Sequence, residues 1–141
     1  MRELERCLEL YRLGKVFDER IEKINTVLYT PKGQDLSGMP KGNDGNDSIV
    51  DKLVDKKEIL QDKRYEIERQ KFYCQKQVIE MMNKCNLTQK EKLLIQYRFF
   101  YGLPWKRVGK ELDWNENKVF RVYRKINAIL KADMSQNYKN T

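Results

Sequence analysis

Leu4, Cys7, Leu8 and Tyr11, then Leu10, Leu13, Phe17, Ile21, Ile24 and Leu28, fall at steps of three and four along the chain. That spacing gathers them on one side of an amphipathic α-helix of about 25 residues, roughly 38 Å long. Its polar side holds Glu and Arg in near balance, as a solvated face does. Thr30-Pro31 stops the helix, because proline disfavours a helical conformation in the residue before it. A second periodic stretch, about 48–84 and roughly 55 Å if helical, carries Ile49, Val50, Leu53, Val54, Leu60, Ile67, Phe72, Cys74, Val78, Ile79, Met81 and Met82. Leu53, Leu60, Ile67, Cys74 and Met81 repeat every seven residues, while the companion heptad positions are mostly Lys and Gln. The seam is half of a coiled coil. A helix this polar must lay its stripe on another, either the first helix folded back antiparallel or a second copy of the chain. Asp47 or Ser48 is expected to cap it, with Asp51 in its first turn. Runs such as Asp55-Lys56-Lys57-Glu58 form its solvated outer face.

The connection, PKGQDLSGMPKGNDGND at 31–47, holds four of the seven glycines and two of the three prolines. It is too polar to pack by itself and longer than most interhelical loops, so it is either flexible or a binding feature. Leu36 and Met39, its large apolar residues, are expected to tuck against a helix.

Composition narrows the chemistry. In 141 residues there is no histidine, which removes the commonest general base, proton switch and zinc ligand together. Cys7, Cys74 and Cys85 form no C-x-x-C pair and are odd in number, so they read as reduced structural thiols without a metal site or disulfide framework. Acidic residues such as Asp44 and Asp47 lie in a loop without a nucleophile, base or phosphate cradle, so no enzyme and no cofactor are expected. No apolar run of membrane-spanning length and no signal peptide is present; a cytoplasmic location off the membrane is expected. The formal charge of +8 is unevenly placed. Segment 1–30 is neutral, 31–48 carries −1, 49–86 carries +2 and 87–141 carries +7. That distribution points to a polyanionic partner for the C-terminal part.

The sequence becomes specific after Asn86. Thr88-Gln89-Lys90-Glu91 is a capping box that opens a helix through Leu94, Ile95, Tyr97, Arg98, Phe99 and Phe100, ending near Tyr101-Gly102, where glycine can take the left-handed turn. Pro104 suits the first turn of a second, short helix in which Trp105, Val108 and Leu112 face inward, and Gly109 allows close approach of a neighbour. After an Asp113-Trp114 turn, Asn115 caps a third helix, 116–132, with Val119, Val122, Ile126 and Ile129 on one face and Lys118, Arg121, Arg124, Lys125 and Lys131 over much of the rest. A short helix, a tight turn and a longer basic helix make a helix-turn-helix whose second helix can enter the major groove of DNA.

The run Val108-Gly109-Lys110-Glu111-Leu112-Asp113-Trp114-Asn115-Glu116-Asn117-Lys118-Val119 resembles the stretch I-A-x-x-L-G-x-S-x-x-x-V of sigma-factor region 4 and related families. Leu87-Thr88 through Tyr101-Gly102, then Trp105-Lys106-Arg107-Val108, is similar to what leads into it there. Asp113 stands where those families have the turn glycine, Trp114 where they have a smaller aliphatic residue, and Arg107 where glutamate is common; aspartate tolerates the left-handed conformation better than most residues. The likeness covers about 45 residues, and the first 86 offer no counterpart of the sigma segments that bind the −10 element or melt DNA. With the N-terminal helix pair and the loop, the chain resembles the small phage and prophage late-gene transcriptional regulators of the ArpU and RinA type. That resemblance implies sequence-specific DNA binding and transcription control.

The expected architecture is all-α. A coiled-coil-like helical hairpin, 1–86 with its loop at 30–47, serves oligomerisation or partner contact; a three-helix DNA-binding domain, 87–132, and a flexible tail, 133–141, follow it. Counted from Asn115, the groove-facing positions are Glu116, Asn117, Lys118, Phe120 and Arg121. Asn117 suits adenine, Lys118 or Arg121 guanine, Glu116 cytosine, and Phe120 a thymine methyl or a partner. Arg124 and Lys125 reach phosphates further along, and Lys106 and Arg107, with Thr88 and Lys90, are the candidates for backbone contacts at helix N-termini. Eight of the fifteen aromatics lie in this region; in so small a unit they are expected to fill the core rather than stack on bases. Double-stranded DNA is the expected partner, with RNA polymerase a further candidate and a homo-oligomer through the N-terminal helices. Two other functions fit the same layout: a DNA-packaging protein like a terminase small subunit, and an RNA-polymerase-binding module that never touches DNA.

Overall fold

The computed structural model describes residues 1–29 and 44–139, with side chains over 1–29 and 48–136. Leu36, Met39 and the rest of 30–43 lie outside the described residues. Every regular element among those described is helical, so the fold is all-α: α1 (Arg2–Tyr29), α2 (Asp44–Lys84), α3 (Gln89–Ile95), α4 (Trp105–Leu112) and α5 (Glu116–Lys139). No helix among the described residues is long and apolar enough to cross a membrane.

The chain divides into two compact units, Met1–Arg12 with Arg69–Thr141, and Leu13–Glu68. The boundary expected between residues 86 and 87 falls inside the first. One contact within that unit could not be revealed by spacing: the Tyr11 ring lies on Gly102, where an added Cβ would run into its Cε1 and Cδ1. Gly102, at φ +65°, closes the C-terminal end of the helix that begins with α3.

In Leu13–Glu68, α2 meets α1 of the same chain. Arg64 Nε donates to Asp18 Oδ1 at 2.6 Å and its guanidinium also pairs with Glu68, while Lys57 sits over the Tyr29 ring at 5.1 Å. Rising numbers on α1 meet falling numbers on α2, so the two run antiparallel here. Ile24, Leu60 and Ile67 are the large side chains buried between them, whereas Leu13, Val54 and Ile59 are exposed.

In the other unit, Leu4, Cys7, Cys74, Val78 and Met82 are buried, and the Cys7 Sγ lies 2.8 Å from that of Cys74, which also donates to Glu3 O. Burial pushes both thiols above their ordinary pKa. Phe72 and Ile79, on the periodic stretch of α2, point outward. Asn86, in the left-handed conformation at φ 54°, turns the chain from α2 into α3. Leu87, Leu94, Ile95, Phe99, Val108, Leu112, Val119, Ile126 and Leu130 build the core of α3, α4 and α5.

Two expected boundaries move. α2 starts at Asp44 rather than after a cap at Asp47 or Ser48. α5 runs to Lys139 rather than giving way to a tail at 133. Its inward face continues past residue 132: Leu130 is fully buried and Asp133 and Met134 are half-buried, so the last turns have something to pack against.

Candidate nucleic-acid interface

The α3 N-terminus carries the capping box read from the sequence: Glu91 N–H donates to Thr88 Oγ1 (3.2 Å) and Thr88 N–H to Glu91 Oε1 (2.8 Å). Glu91 is buried on the α5 side, with its Oε2 3.6 Å from Lys125 Nζ. Burial alone would raise its pKa, but the Thr88 hydrogen bonds and the Lys125 charge outweigh it and leave the carboxyl below its ordinary value. One side chain thus closes α3 and ties it to α5. After Ile95 the helix widens into a π-helical turn, Gln96–Phe100, closed by Tyr101 N–H donating to Gln96 O at 3.0 Å. This turn directs Phe99 against Trp105 and Tyr123, with ring centres 6.1 and 5.6 Å away.

α4 ends at Asp113, which takes the left-handed conformation (φ 59°, ψ 41°) where the resembling families carry glycine. Trp114 N–H then donates to Gly109 O at 2.9 Å. A Cβ on Gly109 would stand 2.8 Å from Trp114 O and 3.4 Å from Val119 Cγ2, so the turn and the start of α5 need glycine there. Asn115 caps α5, its Oδ1 accepting from Lys118 N–H at 2.8 Å. The turn borders a groove lined by Lys106, Lys110, Asp113, Trp114, Asn115 and Glu116.

α5 has two contrasting sides. Val119, Ile126 and Leu130 are fully buried. At about 100° per residue, Asn117, Arg121, Arg124, Ala128 and Lys131 fall in one row opposite them, and all five are exposed. The row contains three cations and no acid. Of the base-reading candidates, Glu116, Asn117 and Arg121 are exposed at the first turns of α5, whereas Phe120 does not join them: it turns its ring onto Trp105, 5.2 Å between centres. Trp105 in turn lies 4.9 Å from Tyr123. Lys118 is half-buried with its ammonium 4.8 Å from the centre of the Trp114 ring.

The phosphate candidates divide likewise. Arg124 and Lys106 are exposed, and neither they nor Arg121 has an ion pair among the described residues. Arg107 is exposed but pairs with Glu111 one turn on (3.0 Å), and Lys125 holds Glu91. Lys90 donates to Leu112 O at 3.4 Å and lies 5.8 Å from the Trp114 ring centre. Thr88 is engaged in its cap. Arg98, by contrast, is a structural cation: it donates to Leu103 O at 3.1 Å and lies 4.8 Å over Trp105. Burial, and Arg12 nearby, lower its pKa. Sequence reasoning missed Glu91 as the tie to α5, Lys110 in the groove, and Trp114 as the ring shared by two lysines. The first two had a signal in the spacing from the cap and from the turn; the third had only the departure from the family pattern.

Residues 1–132 match the family described as "Protein of unknown function (DUF722)". The chain belongs to that family. The DUF722 match spans both compact units, so the helices α1 and α2 belong to the family's unit as much as the α3–α5 segment does. No curated protein and no solved structure matches the chain.

Proposed function

We propose that this DUF722 chain is a DNA-binding transcription regulator of the phage type that uses α4, the Asp113 turn and α5 as a helix-turn-helix on duplex DNA, with α5 in the major groove. The observation that carries the reading is the exposed row on α5, Asn117, Arg121, Arg124 and Lys131, directly opposite a fully buried row and following a turn that glycine and a left-handed aspartate make tight. Such a row presents hydrogen-bonding and cationic groups to a groove while the rest of the helix is committed to the core. In this reading the chain is a cytoplasmic binder rather than an enzyme. The N-terminal helices pair with a second copy or with RNA polymerase; outward-facing Phe72 and Ile79 support an apolar contact there. Selection of bound sequences from random duplex DNA, with mass measurement of the complex, tests both parts. Arg121→Ala is expected to cost about 1–3 kcal/mol at the selected site and to relax one base position. Equal loss on random DNA in a gel-shift titration makes Arg121 a phosphate contact instead, and selection that enriches nothing overturns sequence reading.

A further inference from the structure

Trp114 occupies the position where the resembling families carry a smaller aliphatic residue, and its half-buried ring serves no aromatic cluster of the core. It receives instead two ammonium groups, Lys118 from the first turn of α5 at 4.8 Å and Lys90 from the first turn of α3 at 5.8 Å. Neither lysine has a carboxylate partner among the described residues. Lys90 is steadied further by Leu112 O at 3.4 Å. Each ammonium is thereby drawn to the indole ring of Trp114, which borders the groove at the turn. A free lysine spreads over many rotamers, and confining it for a contact costs conformational entropy. Here the ring has already confined both.

We infer that Lys90, Trp114 and Lys118 form a preorganised clamp for the phosphate backbone of DNA, in which the tryptophan contributes no base contact and acts by holding the two ammonium groups. This rests on the DNA-binding reading above and assigns its anchor. Phosphate oxygens approaching the turn meet both charges without further ordering of either side chain. Nothing in the clamp reads sequence, so its contribution is uniform across DNA sequences.

The chain has two tryptophans, Trp105 and Trp114, which makes the site visible by fluorescence in the full-length protein with a mixed-sequence 30-base-pair duplex as the probe. Adding the duplex at low salt is expected to change the emission of the wild type and of Trp105→Phe, and to leave Trp114→Phe unchanged. Lys90→Gln and Lys118→Gln are each expected to flatten the plot of log affinity against log salt by about 0.9, one phosphate contact apiece. Trp114→Leu keeps both lysines, so the slope should stay while affinity falls about five- to tenfold, as expected for two side chains no longer held in advance. Circular dichroism and thermal melting verify that each variant is folded. Binding with unchanged slopes in both lysine variants overturns the clamp while leaving the DNA-binding reading intact. A Trp114→Leu variant that binds as tightly as the wild type removes the tryptophan's part. Absence of duplex binding by the wild type at low salt overturns the reading and the clamp together.

Discussion

Among the described residues the ten largest fully buried side chains, Leu4, Cys7, Val78, Met82, Leu94, Ile95, Val108, Val119, Ile126 and Leu130, all belong to the unit formed by Met1–Arg12 and Arg69–Thr141. Among the described residues of Leu13–Glu68 the buried large side chains are Ile24, Leu60 and Ile67, each retaining about 7% exposure. Both regions are helical and similarly rich in charge, yet one has a three-dimensional core and the other a single narrow seam. A seam between two helices buries one stripe from each, whereas helices arranged around a common centre bury side chains from several directions at once. The seam is completed by polar groups: the Arg64 guanidinium lies against Gly14 and bridges to Asp18 and Glu68. Burial from several directions holds the first unit's helices together, whereas the second is held along a single line of contact.

Substitutions in the two units are expected to differ in cost. The largest effect is expected from Ile126→Ala, which empties a fully buried site and should cost about 3–5 kcal/mol in urea denaturation, while Ile24→Ala should lie near the lower end of the usual 2–5 kcal/mol range. Equal losses at the two sites erase the distinction between core and seam. Gly109→Ala comes next: the new Cβ meets backbone at 2.8 Å, and about 1–3 kcal/mol of overpacking is expected, together, under the proposed function, with weakened DNA binding because the turn must shift.

Thr88→Ala removes half of the capping box and should cost about 1 kcal/mol. It also carries a pH signature. Glu91 has its pKa lowered in the folded state, so its stabilising contribution is present above the ordinary value of 4.5 and is lost as pH falls through the lowered folded value. Removing the Thr88 hydroxyl takes away one of the hydrogen bonds that lower that pKa while the backbone N–H of residue 88 still donates to Glu91, so the acid-dependent part of the stability, followed by thermal melting between pH 6 and the acid range, should shrink in part in the variant. The smallest effect is expected from Arg64→Ala, a pair with one partner more than half exposed (Asp18 55%), at no more than about 1 kcal/mol and diminishing in high salt. A loss well above that makes Arg64 the central element of the seam rather than its polar completion.

Much of the α3–α5 segment was legible in the sequence because its signals are local. The capping box at Thr88, the glycine turn at Gly102, the left-handed Asp113 and the Asn115 cap each depend on residues within four positions of one another, and each is present in the structure. The ends of α2 and α5 were misjudged, since polar sequences such as those at 44–47 and 133–139 carry weak propensity and their state is decided by neighbours. The candidate site was legible in part. Asn117, Arg121 and Arg124 follow from the period of α5 alone, whereas Phe120, placed beside them by counting, turns to Trp105 because the core offers its ring more contact than the solvent does.

Helical period, charge and capping are properties of residues near one another along the chain, so the all-α class, the positive charge concentrated after residue 86 and the turns at 102 and 113 could all be read from the order of residues. Which cations are engaged by other groups of the chain and which stay exposed was decided by the tertiary structure. Arg98 on Leu103 and Trp105, Lys125 on Glu91, and Lys90 and Lys118 on Trp114 are pairings of groups brought together from different elements. Distance in space sets those energies, and sequence separation does not encode it.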